Sequence, residues 1–217
     1  MAIVESRLQT IVFDLDDTLY AEADYVISGK NAVAQEILRL YKQDLRIALL
    51  AEEQDFIGLV CATLGLGPAI KTSLLWTYRL HQPTLEPRPG VVDLIAAIRA
   101  RGDAVCIITD GRSVTQRLKI EALKLTVDAI YVSEEIGVEK PDPTAFRRVE
   151  QDFPAASYTY VGDNVRKDFI APNALGWQTF GLENDIRSIH RFRNDEHPPG
   201  NMPQHWVRDF AELACKL

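Results

Sequence analysis

The hydrophobic pattern changes period along the chain. Ile11, Val12 and Phe13 form a continuous apolar run that breaks abruptly into acids within IVFDLDDTLY, as a buried parallel strand does where it delivers carboxylates to its C-terminal edge. After Tyr20 the spacing turns helical for about seventy residues. Ala32, Val33, Ile37, Leu38 and Tyr41 mark one helix and Phe56, Ile57, Val60 and Leu64 another. Gly65, Gly67 and Pro68 punctuate, and the pattern predicts a further helix from about Ala69 to Leu80. The segment HQPTLEPRPG has the composition of a linker leaving this all-helical insert.

From Val91 the pattern alternates. It predicts a helix over 91–101 stopped by Gly102, a strand over 104–109 ending in Asp110-Gly111, and an amphipathic helix over 113–125. Next come a short strand over 128–132 and a helix capped by Asp142 with Pro143 in its first turn. A strand over 158–161 then ends in Gly162-Asp163, a helix near 167–175 ends at Gly176, and a last strand covers 177–180. Alternating strands and helices imply a parallel sheet covered on both faces, with residues 11–14 as its first strand. In the tail, 187–193 is basic, 195–203 reads as a loop and 207–216 as a short terminal helix. The expected domains are therefore a core of residues 1–19 and 88–217 and an inserted helical domain of residues 20–87.

Composition narrows the function. At 217 residues, 47% hydrophobic and 25% charged, the chain suits one core with a modest insert. A net charge of −7 argues against a broad surface for a nucleic acid polymer. No apolar run reaches the roughly 20 residues of a membrane span, and the start lacks the layout of a signal peptide. Cys61, Cys106 and Cys215, odd in number and widely spaced, read as reduced thiols of a cytoplasmic protein.

In an open parallel sheet, ligands bind outside the carboxyl ends of the strands, where strand order reverses. The polar residues fall there: Asp14, Asp16 and Thr18; Thr109, Asp110 and Gly111; Gly162, Asp163 and Asn164; and Lys140 in the loop after the 128–132 strand. That set suits phosphoryl transfer. A phosphate dianion repels a carboxylate nucleophile, so attack by Asp14 needs a divalent cation and fixed donors. Asp14 and Asp163 offer hard oxygen ligands for Mg2+. Lys140 can hold the phosphoryl oxygens or the nucleophile, Thr109 can donate its hydroxyl, and backbone N–H groups near Gly111 add donors. Asp16 can protonate the leaving oxygen and later deprotonate water, a task that calls for a raised pKa.

These motifs resemble those of the haloacid dehalogenase superfamily of phosphohydrolases. DxDxT matches Asp14, Asp16 and Thr18, and the Ser or Thr at a strand end matches Thr109 in IITDG. The lysine before proline matches Lys140 in GVEKPDP, and GDxxxxD matches Gly162, Asp163 and Asp168 in VGDNVRKD. The resemblance spans roughly Thr10 to Leu182. It implies an α/β fold: a Rossmann-like parallel core in strand order 5-4-1-2-3 with an all-helical cap inserted after the first motif. It also implies Asp14 as nucleophile, Asp16 as general acid/base, and Mg2+ held by Asp14, the Asp16 carbonyl and Asp163. Thr18, Thr109, Asp110, Gly111 and Lys140 are then expected around the substrate phosphate. Asn164 and Asp168 are expected behind the metal ligands, Asp168 orienting Lys140 or a metal-bound water.

Relatives that cleave carbon–halogen bonds lack the second aspartate of the first motif, so Asp16 points to phosphate esters. The expected activity is Mg2+-dependent hydrolysis of a small phosphorylated metabolite, a sugar phosphate or nucleoside monophosphate, through an aspartyl-phosphate. A sugar phosphomutase and a non-catalytic phosphate-binding module are the alternatives. The insert reads as a lid that selects the leaving group. Lys30, Arg46, Lys71, Trp76, Tyr78, Arg79 and His81 are its candidates for that task, none assigned. His190, His197 and His205 show no metal pattern and are expected at the surface.

Overall fold

A computed structural model describes residues 7–52, 54–183 and 198–217. Six strands form one parallel sheet: β1 (Arg7–Phe13), β2 (Ala104–Thr109), β3 (Ala129–Val132), β4 (Ala155–Gly162), β5 (Gln178–Leu182) and β6 (His205–Val207). Their order is β3-β2-β1-β4-β5-β6. This is the expected 5-4-1-2-3 order read from the other edge, with a sixth strand beyond β5.

The sheet is covered on both faces, and the period of two decides which residue meets which layer. Ile11 and Phe13 of β1 join Val105, Ile107 and Val161 in one buried cluster, while Val12 joins Cys106, Ile108 and Tyr160 in the other. The first face is covered by α5 (Val91–Ala100), α6 (Ser113–Ala122) and α10 (Phe210–Ala214), through Leu94, Ile95, Ile98, Ile120, Phe210 and Leu213. The second lies under α8 (Thr144–Asp152) and α9 (Ile170–Ala174), through Phe146, Val149 and Ala171, with Trp177 beside them. The short helix α7 (Ser133–Ile136) follows β3 directly.

Between β1 and α5 lie four helices, α1 (Glu22–Tyr41), α2 (Arg46–Ala51), α3 (Phe56–Leu64) and α4 (Ile70–Arg79). They bury a cluster of their own around Val33, Ile37, Leu49, Val60 and Leu74. The segments entering and leaving this insert lie side by side: the Arg88 N–H donates to the Leu19 carbonyl at 2.8 Å, and the Arg88 guanidinium to the Asp17 carbonyl at 2.9 Å.

The structure departs from the sequence pattern in places. The helix expected over 167–175 is only α9, since Pro172 lacks the N–H that a longer helix needs and its ring crowds the carbonyl of Asp168. Pro143 is the N-cap of α8 rather than inside it, and the Asp142 carboxylate accepts from the Thr144 N–H at 2.9 Å just outside the helix. The tail contributes β6 and a shorter helix, capped by the Asp209 carboxylate on the Glu212 N–H at 2.8 Å. His205 is exposed, as expected, while His190, His197 and the basic stretch 187–193 lie outside the described residues. Among the described residues, no helix is long and apolar enough to cross a membrane.

Candidate active site

Strand order reverses at β1, whose neighbours β2 and β4 lead away in opposite directions. The carboxyl ends of these three strands therefore frame a crevice. A cavity of about 130 Å³ opens there, and Asp14, Asp16, Thr109, Asp110, Asp163 and Asn164 line it, joined by Lys167 and by Glu22 from the start of α1.

Asp14 stays in the sheet's hydrogen bonding, its N–H donating to the Val161 carbonyl at 2.8 Å. Lys140 lies beneath it with its side chain 1% exposed. The ammonium donates to Asp14 Oδ1 at 2.5 Å, to Asp168 Oδ1 at 2.7 Å and to the Tyr160 hydroxyl at 3.0 Å. All three of its protons are used, and of the two tasks read for Lys140 in the sequence, holding the nucleophile or the phosphoryl oxygens, its bond to Asp14 matches the first. Burial would lower the Lys140 pKa, but Asp14 and Asp168 outweigh it and hold the ammonium well above its ordinary value.

Asp168 turns its other oxygen back on its own loop, accepting the Asn164 N–H at 2.9 Å and the Asp163 N–H at 3.2 Å. Gly162 is required for that approach: a Cβ there would lie 2.6 Å from Asp168 Oδ2. Asn164 closes the turn, its side-chain oxygen accepting from the Arg166 N–H at 3.0 Å. The Asp163 carboxylate accepts the Thr18 hydroxyl at 3.3 Å through Oδ1, while Oδ2 is buried with no hydrogen-bond partner. Thr18 thus binds a carboxylate at the crevice floor and is fully buried, so it does not face a substrate phosphate.

Oxygens of Asp14, Asp163 and Asp168 all lie within 4.8 Å of one another. Burial, with Lys140 opposing and Asp168 reinforcing, pushes Asp14 up to about 7. Burial and then the neighbouring Asp168 and Asp14 push Asp163 well above the carboxylate range. An orphaned buried carboxylate oxygen among crowded hard donors fits a small divalent cation, whose charge would relieve both.

Asp16 has a different set of partners. Lys119 of α6 donates to its Oδ1 at 2.7 Å, the Tyr20 hydroxyl also donates to Oδ1, and the Gln116 amide donates to Oδ2 at 2.7 Å. Burial works to raise its pKa, but the Lys119 ammonium and the three donors prevail and lower it. The expectation of a raised pKa is corrected here: Asp16 rests as a carboxylate because α6 supplies a cation.

The second strand end is equally filled. Gln116 also donates to Thr109 Oγ1 at 2.6 Å and to the Asp110 carbonyl at 3.0 Å, leaving the Thr109 hydroxyl proton for a ligand. The Asp110 side chain is turned to two cationic or polar partners, accepting the Lys140 N–H at 3.1 Å and the Lys167 ammonium at 2.7 Å, so only its backbone is left to meet a phosphate. The Gly111 N–H is likewise engaged, donating to Ser133 Oγ at 2.9 Å. Lys167 is the one ammonium on the cavity wall among the described residues.

A family model described as haloacid dehalogenase-like hydrolase matches residues 8–176. The chain belongs to this family. A glyceraldehyde 3-phosphate phosphatase of Methanocaldococcus jannaschii is 29% identical over 190 residues, covering 79% of this chain and 83% of that protein. Another, of Methanopyrus kandleri, is 26% identical over 230 residues, covering 95% and 99%. Among solved structures, a defluorinating L-2-haloacid dehalogenase superposes with a TM-score of 0.67 at 19% identity, covering 97% of this chain and 95% of that one. That similarity is one of fold.

For a haloacid dehalogenase-like hydrolase the site has residues that motif reading passes over. Lys119 and Gln116 carry a signal in the sequence: Thr115, Gln116 and Lys119 recur at helical spacing on the same buried face of α6 as Ile120, polar groups where core residues belong. Lys167 sits inside the VGDNVRKD motif beside Asp168. Glu22 has no local signal, being one of several acids that follow Tyr20. None of the cations and aromatics considered in the insert lines the cavity. Lys30 donates to the Glu52 carbonyl, Lys71 pairs with Asp55 at 3.2 Å, and Arg79 lies over the Trp76 ring at 5.6 Å.

Proposed function

We propose that this hydrolase removes phosphate from a small phosphorylated metabolite, with Mg2+ as cofactor and Asp14 as nucleophile. The supporting observation is Asp14 itself, held by Lys140 at the floor of a cavity that it shares with the orphaned oxygen of Asp163. Asp14, Asp163 and the backbone carbonyl of Asp16 are the groups that would hold Mg2+, which when bound supplies the positive charge that lets a phosphoryl group approach carboxylates.

The chain's own residues then act in sequence. Thr109 donates its hydroxyl to a phosphoryl oxygen, and Lys167 presents its ammonium to another. Asp14 attacks phosphorus as the ester oxygen leaves, and Asp16 in its acid form gives that oxygen a proton. The incoming dianion raises the proton affinity of Asp16 by like-charge repulsion, countering Lys119. In the second half Asp16, again a carboxylate, takes a proton from water as the water attacks phosphorus and frees Asp14. The hold of Lys119, Gln116 and Tyr20 favours that carboxylate form and fixes its direction.

The cavity is smaller than the roughly 300–1,000 Å³ of most small-molecule sites, so we read residues 20–87 as a lid over a core of residues 1–19 and 88–217. The adjoining connections at Leu19 and Arg88 serve as its hinge. A closed lid excludes water and favours small phosphates over polymers. The glyceraldehyde 3-phosphate phosphatases among the relatives favour a sugar phosphate of few carbons. Cys61, Cys106 and Cys215, none of them in a disulfide among the described residues, suit a cytoplasmic protein. The test is phosphate release from sugar phosphates, nucleoside monophosphates and a chromogenic ester, with Mg2+ and with chelator. Release that requires Mg2+ and favours sugar phosphates supports the reading, and absence of release from folded protein overturns it.

A further inference from the structure

Given the proposed phosphatase activity, on which this step rests, we infer that Glu22 selects substrates whose leaving group presents uncharged hydroxyls and rejects those that carry a carboxylate there.

Among the described residues, Glu22 is the single residue of the four-helix insert that lines the catalytic cavity, as the first residue of α1. Its backbone is fixed, the N–H donating to Asp17 Oδ1 at 2.9 Å. Glu22 thus brings the insert to the wall of a cavity whose other lining residues come from the core, and the part of a substrate beyond the phosphoryl group extends toward that insert. Asp14, Asp110 and Asp163 belong to the floor, and Lys167, the wall's one ammonium among the described residues, is bonded to Asp110 there. Lys119, whose charge also acts on Glu22, is bonded to Asp16 and lies 4.4 Å from the Tyr25 ring centre. A carboxylate on the leaving group thus meets the Glu22 carboxylate in a confined space, with Lys167 bonded to Asp110 and Lys119 to Asp16, a repulsion that water screens poorly. A hydroxyl at the same atom can donate to Glu22, a bond that a carboxylate cannot make.

Glycerol 3-phosphate and 3-phosphoglycerate differ at one carbon, CH2OH against COO−, and place phosphate identically. With the full-length protein, Mg2+ and a pH of about 8, where Glu22 carries its charge, kcat/KM for glycerol 3-phosphate should exceed that for 3-phosphoglycerate by about 10-fold or more. Glu22→Gln should shrink the ratio, and Glu22→Lys should invert it by raising turnover of 3-phosphoglycerate. The inversion is a gain of activity, so a folding defect cannot imitate it. A wild type that prefers 3-phosphoglycerate, or a ratio unmoved in both variants, overturns the inference while leaving the phosphatase intact. Failure of the chromogenic ester and both glycerol derivatives to release phosphate overturns the phosphatase reading itself, and this inference with it.

Discussion

Lys119 Nζ lies 2.7 Å from Asp16 Oδ1, and with it the two aspartates at the end of β1 take separate lysines, Asp16 one from α6 and Asp14 one, Lys140, from the loop between α7 and α8. The pair is mostly buried, Lys119 with 5% and Asp16 with 22% of its side chain exposed. Removing one member of a buried pair costs about 3–5 kcal/mol, and the donors that Tyr20 and Gln116 retain place this case at the low end. Lys119→Met is expected to lose about 2–3 kcal/mol in urea unfolding, and Lys119→Met with Asp16→Asn to lose less than the sum of the two single changes. Additive losses would show that Lys119 acts by packing alone.

Glu22 gives the fold a pH dependence. Burial, then Asp16 with Lys119 opposing, pushes its pKa from 4.5 in the unfolded chain to about 7 in the folded one. Between these values the folded protein binds more protons, so stability falls as pH rises from about 4.5 to 7. Glu22→Gln removes that loss. Its unfolding free energy should exceed the wild type's at about pH 8 and match it near pH 4.5, the sign expected of a carboxylate kept for recognition. Equal stabilities at both pH values would contradict the assignment.

Asp163 bears on the metal. Asp163→Asn keeps an acceptor for the Thr18 hydroxyl but removes the charge around the orphaned oxygen. Ligand in hundredfold excess over its Kd stabilises a folded protein by about 2.7 kcal/mol, or several degrees in Tm. Mg2+ should therefore raise the Tm of the wild type in thermal scans and leave that of Asp163→Asn unmoved. A Tm gain retained in the variant would place the cation elsewhere.

The sequence patterns locate the strand ends because a parallel strand is apolar along its length and becomes polar abruptly where it meets the crevice, as at Phe13-Asp14 and Thr109-Asp110. They miss β6 because three residues, His205–Val207, are too short for any period to show, and because Pro203 just before them reads as loop. They place Lys140 and Thr18 in the site, with Asp14 and Asp168 as possible partners of Lys140, but not Tyr160 beside it nor Asp163 on Thr18. Which oxygen a side chain faces is set by contacts such as Lys140 with Tyr160 and Asp168, 20 and 28 residues away, which no local pattern encodes. The same limit hides Glu22, whose role depends on where α1 starts relative to β1 and β2.

The C-terminal helix α10 packs on the core. Phe210 is 2% exposed and its ring lies 6.3 Å from that of Phe13, beneath the strand that ends in Asp14. Phe210→Ala should cost about 3–5 kcal/mol in urea unfolding. A loss below about 1 kcal/mol would show the tail to be dispensable.

The most direct test of the central claim is phosphate release from glycerol 3-phosphate by the wild type and by Asp14→Asn, with Mg2+ and with circular dichroism confirming the fold of each. The account predicts Mg2+-dependent release by the wild type and a loss of at least about a thousandfold in a folded Asp14→Asn protein, since Asp14 is the proposed nucleophile. Comparable turnover in the folded variant would contradict it.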